Sequence, residues 1–130
     1  MPSEVRPLRV VVVEDSEAFL LRLRFVLNAS PSIQVVGFAE SAGSAIRLLE
    51  QTQPDLILLD LYLKEGSGVD VLRHIRESGT KVRTVVMTSE PSGELQSACL
   101  SLGAHRFLDK AELLNALNEE TEGLARELAR

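Results

Sequence analysis

Disulfide bonds and membrane spans are the first features that this sequence lacks. Its 130 residues include one cysteine, Cys99, so an intrachain disulfide is impossible and a reducing compartment fits best. Cys99 lies among apolar neighbours, and we interpret it as a small core residue. No apolar run approaches the roughly 18 residues of a membrane span, and the first seven residues contain no signal-peptide core. We therefore expect a cytoplasmic protein that does not enter a membrane.

Basic segments are also missing. The formal net charge is −5, and no run or face of lysine and arginine is evident. This composition argues against direct nucleic-acid binding. Hydrophobic residues make up 45% of the chain and charged residues 25%, which is typical of a folded globular domain. At this length we expect one domain over residues 8–130, preceded by a short leader over residues 1–7.

Alternating apolar runs and breakers predict the fold. Four consecutive aliphatic residues stand between Asp55 and Asp60, which indicates a strand buried on both faces at the centre of a parallel sheet. We predict strands over residues 8–13, 33–38, 55–60, 82–88 and 105–108, the second of them near an edge. We predict helices over residues 17–28, 42–51, 68–78, 90–102 and 112–128. We expect the first three to be capped by Ser16, Ser41 and Ser67, with Asp70 completing a capping box in the third. Five strand–helix units in unbroken alternation imply a doubly wound (βα)5 α/β sandwich of three layers, the flavodoxin-like fold.

Polar residues follow four of the predicted strands, at the ends that meet along one edge of the sheet. They are Glu14 and Asp15 after the first strand, Asp60 after the third, Thr88 and Ser89 after the fourth, and Lys110 after the fifth. Three converging carboxylates repel one another unless a cation binds between them, and their oxygens suit Mg²⁺. A carboxylate can be the nucleophile in phosphoryl transfer, while a hydroxyl and an ammonium hold the phosphoryl oxygens.

Four segments surround these residues, and their order and spacing are specific. They are Val11-Val-Val-Glu-Asp-Ser16, Leu58-Leu-Asp60 with Gly68 eight residues on, Val85-Val-Met-Thr-Ser89, and Gly103-Ala-His-Arg-Phe-Leu-Asp-Lys110. Together they resemble the response regulator receiver domain of two-component signalling, from about residue 8 to residue 128. The resemblance implies that Asp60 is the phosphoacceptor. It also implies that Mg²⁺ is bound by Glu14, Asp15, Asp60 and the main-chain carbonyl of Tyr62.

The resemblance further implies roles for three residues and for partners. Thr88 and Lys110 contact the phosphoryl group, and Phe107 occupies the aromatic switch position. The phosphodonor is then a histidine kinase or a histidine phosphotransfer protein, and the output is a downstream protein target. A phosphorylation-dependent homodimer stays open. The chain is then no enzyme beyond phosphoryl transfer to, and hydrolysis from, its own Asp60.

Three positions depart from the family pattern. Lys64 replaces the usual proline four residues after the phosphoacceptor, and Ala111 replaces the proline that usually follows the lysine in a cis peptide. A cis bond before alanine costs roughly 3 kcal/mol, which leaves that peptide open. Phe107 has no hydroxyl, so it can repack but cannot donate a hydrogen bond. None of these changes removes a group that the chemistry needs.

Two other classes of protein compete with a signalling switch. An aspartate-nucleophile phosphatase of the haloacid dehalogenase type needs a second acid two residues after the nucleophile, and that position is Tyr62. An interaction module that has lost phosphorylation is disfavoured because the set of carboxylates, hydroxyl and lysine is complete.

The first and last predicted helices carry apolar stripes. The core face of the first helix consists of Phe19, Leu23, Val26 and Leu27. Leu21 and Phe25 fall on the opposite side, and we predict that they form the docking surface for the phosphodonor protein. A homodimer contact or packing under the leader are the alternatives. The stripe of the last helix, which we expect on the sheet, consists of Leu114, Leu117, Leu124 and Leu128.

Overall fold

Five strands alternate with helices along the residues that the computed structural model describes, 6–117. The strands are β1 (Leu8–Val13), β2 (Ile33–Ala39), β3 (Leu56–Asp60), β4 (Arg83–Thr88) and β5 (Arg106–Asp109). The helices are α1 (Glu17–Asn28), α2 (Ala42–Thr52), α3 (Gly68–Ser78) and α4 (Gly93–Ser101). Residues 110–117 are helical as well and are called α5. The predicted α/β alternation is confirmed.

All five strands run parallel in one sheet of order β2-β1-β3-β4-β5. Every residue of β3 is buried, as the apolar run between Asp55 and Asp60 predicted. β2 lies at an edge and is half-buried, which its weaker apolar pattern also predicted. The order reverses between β1 and β3, which leaves a crevice at the carboxyl ends of these two strands.

Alternate strand residues face two separate hydrophobic layers, one on each side of the sheet. One layer combines the side chains of Val11, Val13, Ile57, Leu59 and Val86 with those of α2, α3 and α4. The other combines Val10, Val12, Leu56, Leu58 and Val85 with α1 and α5. The three-layer, doubly wound architecture follows from this division.

Short polar side chains fix the start of each helix. Ser16, Ser41 and Ser67 are N-caps, as predicted, and each hydroxyl accepts a hydrogen bond from a main-chain N–H of the first turn. Ser67 and Asp70 form the expected capping box at α3. Gly79 ends α3 with a φ of 72°, a left-handed conformation that glycine adopts without strain.

The predicted start of α4 is wrong. The helix begins at Gly93 rather than at residue 90, because the N-cap is Ser92, whose hydroxyl accepts a hydrogen bond from the Leu95 N–H at 3.1 Å. The Glu90 N–H instead donates to the Thr88 hydroxyl at 3.2 Å, which holds the preceding residues in a turn. Gly103 follows the capping residue Leu102, with a φ of 104°.

Some predicted features lie at or beyond the limits of the described residues. α5 begins at residue 110, two residues before the predicted start, and Leu117 is buried while Leu114 is half-buried, as expected. Leu124 and Leu128 lie outside the described residues. Arg6, from the predicted leader, donates two hydrogen bonds to Asp55 at 3.1 and 3.0 Å. The domain limits stay a prediction.

The two faces of α1 differ as predicted. Leu23 and Leu27 are fully buried, and Phe19 and Val26 are partly buried against the same layer. On the opposite side, the whole residue Leu21 is 71% exposed and Phe25 is 79% exposed.

Two expectations drawn from what the sequence lacks can be compared with the fold. Cys99 is buried in the core, as predicted, and burial raises the pKa of its thiol. Among the described residues, no helix has the length and apolar character needed to cross a bilayer.

Candidate functional site

The carboxyl ends of β1 and β3 bring three carboxylates together. Glu14 and Asp15 directly follow β1, and Asp60 is the last residue of β3. Each side chain offers an oxygen that lies within 4.8 Å of the others. Glu14 and Asp60 are buried, whereas Asp15 is partly exposed to solvent. The sheet edge therefore holds a concentrated negative charge, as the strand order requires.

Lys110 supplies the compensating positive charge from the start of α5. Its Nζ lies 2.9 Å from Glu14 Oε1 and donates hydrogen bonds to Glu14 Oε2 at 3.0 Å and Asp60 Oδ2 at 3.1 Å. The lysine side chain is only 15% exposed. Burial by itself lowers the pKa of Lys110, but the contacts to Glu14 and Asp60 outweigh this and raise the pKa overall. The ammonium is therefore charged at neutral pH.

Glu14 is the most enclosed of the three acids. Burial raises its pKa, and repulsion from Asp60 adds to the rise, while hydrogen bonds from Lys110 and from the Ser16 N–H oppose it. The Ser16 N–H donates to Glu14 Oε2 at 2.9 Å. Glu14 Oε1 is buried and accepts no hydrogen bond from any described residue, although Lys110 Nζ is near. A buried carboxylate oxygen without a hydrogen-bond donor can accept a further ligand.

The loop after β3 holds Asp60 by close main-chain packing. The Tyr62 N–H donates to Asp60 Oδ1 at 3.2 Å, and Tyr62 forms an isolated bridge with Ser67. A Cβ on Gly68 would lie 2.4 Å from the Asp60 carbonyl oxygen, so only glycine lets the start of α3 lie against this residue. The Tyr62 residue is 57% exposed and borders the site from outside.

Thr88 and Phe107 lie on β4 and β5 beside the acidic cluster. Thr88 is fully buried and pairs with Asp109 in the sheet, while Phe107 pairs with Val86. Phe107 is partly buried and packs against the core layer that includes α4. The two residues therefore lie on adjacent strands. Thr88 ends β4 at the sheet edge that carries the acids, and Phe107 packs on the side of the sheet that carries α4.

Two contributions to the site were not predicted. The ring of Phe19 lies beside Lys110, with Nζ 4.8 Å from the ring centroid, and the Ser16 N–H binds Glu14. The helical wheel assigned Phe19 to the core alone, and Ser16 had a role only as an N-cap. The sequence from Glu17 onward contains no pattern that indicates a contact with α5, because that contact depends on how α1 and α5 pack.

The peptide between Lys110 and Ala111, which the sequence left open, is not cis.

Known proteins resemble this chain in sequence. Residues 10–122 match the family described as the response regulator receiver domain. A protein-glutamate methylesterase/protein-glutamine glutaminase of Koribacter versatilis is 31% identical over 115 residues, which is 88% of this chain and 32% of that protein. The nitrate/nitrite response regulator protein NarP of Escherichia coli is 31% identical over 124 residues, covering 92% of this chain and 58% of NarP. The chain thus spans about a third of the length of the methylesterase relatives.

Solved structures show the same fold. A two-component response regulator of the LuxR family from Aurantimonas superposes with a TM-score of 0.79 at 27% identity, covering 90% of this chain and 86% of that one. The response regulator domain of Thermotoga maritima CheB superposes with a TM-score of 0.83 at 23% identity, covering 93% and 98%.

Proposed function

Because this chain belongs to the response regulator receiver domain family of two-component signalling, we propose that its phosphoryl acceptor is Asp60 and its donor a phosphohistidine. The observation that carries the proposal is the convergence of Asp60 with Glu14, Asp15 and Lys110 at one sheet edge. Asp60 is the carboxylate at the end of the central strand, it lies close to the other two acids, and its Oδ1 accepts a hydrogen bond from the N–H of Tyr62 in the exposed loop.

The donor set at this edge fits Mg²⁺, a hard cation that prefers oxygen ligands. Three carboxylates lie within 4.8 Å of one another, and Glu14 Oε1 accepts no hydrogen bond from a described residue. We infer that Glu14, Asp15 and Asp60 hold the ion together with the main-chain carbonyl of Tyr62. When bound, the ion supplies positive charge that offsets repulsion between Asp60 and the oxygens of an incoming phosphoryl group.

The reaction needs one nucleophile and a set of fixed charges. An oxygen of Asp60 attacks phosphorus, and an O–P bond forms as the N–P bond of the phosphohistidine breaks. The electron pair of the N–P bond returns to the imidazole, so a ring protonated on its other nitrogen departs as neutral histidine. Lys110 lies within 3.1 Å of Asp60 and can transfer one of its hydrogen bonds to a phosphoryl oxygen while it keeps its contact with Glu14.

The buried residues next to the acceptor support a switch function. The Thr88 hydroxyl accepts a hydrogen bond from the Glu90 N–H, so a movement of Thr88 toward a phosphoryl group releases the turn before α4. Phe107 then repacks into the space that Thr88 leaves, and the surface of α4, β5 and α5 changes. This surface is the proposed contact for a downstream protein target or for a second phosphorylated copy.

Leu21 and Phe25 form the proposed docking surface for a histidine kinase or a histidine phosphotransfer protein. Two large apolar side chains one turn apart, 71% and 79% exposed, are rare without a partner. α1 begins two residues after Asp15, so a helix docked there lies next to the acceptor. Since such donors act in the cytoplasm, we place the chain there as well.

The activity of any whole protein that contains this domain is a separate question. Its methylesterase relatives are about three times as long as the matched part. We propose that the described domain itself catalyses only transfer to, and hydrolysis from, Asp60, and that it acts through protein contact without binding nucleic acid.

Labelling by a small phosphodonor tests the acceptor. We expect the chain incubated with Mg²⁺ and acetyl phosphate to gain an acid-stable, base-labile adduct, which Asp60→Asn abolishes. Asp55→Asn is the matched control, because it removes the same charge at the opposite end of β3, where Asp55 binds Arg6. Labelling that persists in the Asp60 variant, or is lost in the Asp55 variant, would contradict the assignment.

A further inference from the structure

An aromatic ring, as well as two carboxylates, surrounds the Lys110 ammonium. Nζ faces Glu14 and Asp60 at 2.9 to 3.1 Å on one side. On another side the Phe19 ring lies 4.8 Å away, measured from Nζ to the centroid. The face of an aromatic ring carries negative electrostatic potential and attracts a cation within about 6 Å. The ammonium is therefore held between two carboxylates and a ring.

Two independent constraints fix that ring. The Phe19 N–H donates to the hydroxyl of the N-cap Ser16 at 3.4 Å, in the first turn of α1. The Phe19 side chain also packs against the buried layer that includes Leu113 of α5. Phe19 is therefore held at its main chain by Ser16 and at its side chain by the core layer. A lysine side chain, in contrast, has four rotatable bonds and loses much entropy when it is held.

We propose that Phe19 is a positioning residue for Lys110, which it keeps within reach of the oxygens on Asp60. This inference rests on the proposed role of Asp60 as phosphoacceptor. When a phosphoryl group arrives, Lys110 must exchange Asp60 Oδ2 for a phosphoryl oxygen. The ring limits the arc of Nζ and excludes water from one side of it, so the exchange happens without release of the ammonium into solvent. The chemistry at phosphorus is unchanged, and Phe19 does not touch the reacting atoms.

A double-mutant cycle tests this role through the initial rate of labelling by acetyl phosphate in excess Mg²⁺. Phe19→Leu removes the ring and keeps apolar volume, and we expect labelling to slow about threefold to tenfold. Phe19→Tyr keeps the ring and should keep the rate. In the Lys110→Ala background, Phe19→Leu should change the residual rate less than twofold, because the residue through which the ring acts is gone. Val26→Ala, which trims the same face of α1 away from Lys110, controls for lost packing.

Three results would overturn the proposal. They are an unchanged rate in Phe19→Leu, an equal slowing by Phe19→Leu with and without Lys110, and an equal slowing by Phe19→Leu and Phe19→Tyr.

A spectroscopic measurement keeps the test valid even if a variant is less stable. The chain has three lysines, Lys64, Lys81 and Lys110, so lysine-selective ¹³C labelling gives three ε-methylene signals. We expect the Lys110 signal alone to be shifted upfield by the ring, in the wild type and in Phe19→Tyr, and to lose that shift in Phe19→Leu. A signal that does not move in Phe19→Leu would show that the ring does not lie over Lys110. This NMR readout does not depend on Asp60. Phosphorylation of Asp60→Asn by acetyl phosphate would therefore contradict the proposed function, while the contact between Phe19 and Lys110 would still be tested by the NMR signal.

Discussion

Asp15 differs from the other two acids because no described residue forms an ion pair with it. Lys110 binds Glu14 and Asp60, but no described side chain donates a hydrogen bond to the Asp15 carboxylate. Its oxygen nevertheless lies within 4.8 Å of theirs. Like charges at this separation repel. The repulsion between Asp15 and Asp60 acts on the folded state alone, because the two residues lie far apart along the unfolded chain, whereas Glu14 is next to Asp15 in both states. Without a metal ion, Asp15 therefore works against folding.

We expect Asp15→Asn to raise the free energy of unfolding by about 0.5 to 1 kcal/mol in EDTA, because it removes this repulsion. In excess Mg²⁺ the order should reverse, since the wild type gains stability by binding the ion and the variant gains little. Urea unfolding of both proteins under the two conditions measures the effect. Glu65→Gln, an exposed acid on the loop after β3, is the control and should not reverse. An Asp15 variant less stable than the wild type in EDTA would contradict the prediction.

At the scale of elements, α1 has two distinct faces, one packed in the core and one exposed to solvent. Its inner face carries Leu23 and Leu27 into the core, and its outer face leaves Leu21 and Phe25 in solvent. Because the two faces do not share residues, the outer face can change without loss of the fold.

Changing both Leu21 and Phe25 to alanine should therefore slow transfer from a phosphohistidine protein by about tenfold or more. Labelling by acetyl phosphate should stay unchanged, since a small donor needs no docking surface. The free energy of unfolding should change by less than about 0.5 kcal/mol. Leu100→Ala, at an exposed apolar position on α4, is the matched control. Equal slowing with both donors would mean that the pair supports the fold, and no slowing with either would end the docking hypothesis.

The sequence predicted most elements because their signals are local. Unbroken aliphatic runs defined β1 and β3, and serines before apolar periodicity defined the starts of α1, α2 and α3. The start of α4 was wrong because Pro91 is a common first residue of a helix, and that signal competed with the cap at Ser92. α4 has little apolar periodicity of its own, so nothing else in the pattern located its start.

The geometry of the site was only partly predictable, because contacts between elements distant in sequence give no local signal. Alternation of strands and helices predicts a parallel sheet, whose carboxyl ends, with Glu14, Asp15 and Asp60, lie along one edge. The strand order that makes β1 and β3 neighbours is seen only in the structure. The contacts among side chains depend on rotamers and on packing between elements distant in sequence. The ring of Phe19 beside Lys110 is such a contact, and no spacing rule in the sequence indicates it.

At the scale of the whole molecule, the acceptor and the proposed output surface are joined by β4 and β5. Thr88 and Phe107 lie on these neighbouring strands, and Leu102 and Phe107 both pack on the layer beneath α4. A buried residue cannot move alone in a densely packed interior, so displacement of Thr88 must be met by a change in its neighbours.

Beryllofluoride, a phosphate mimic, should therefore shift the backbone amide resonances of residues 89–108 in the presence of Mg²⁺. Resonances of α2, which connects β2 to β3 and is distant in the sheet from β5, should move far less. Asp60→Asn is the control and should show no shift anywhere. Amide shifts confined to residues next to Asp60 in the treated wild type would mean that the site and the α4–β5 surface are not coupled.

The contacts of Lys110 also determine when the site can form during synthesis. The lysine meets Glu14 and Asp60 across 96 and 50 residues of chain. Chains emerge from the ribosome amino terminus first, so Glu14 and Asp60 are present for some time before Lys110, the one ammonium that is described in contact with them. A nascent chain without β5 and α5 has the acidic edge but not Lys110, the residue that is proposed to contact the phosphoryl group. We therefore expect a growing chain to gain the proposed ability to accept a phosphoryl group only after Lys110 has been added to it.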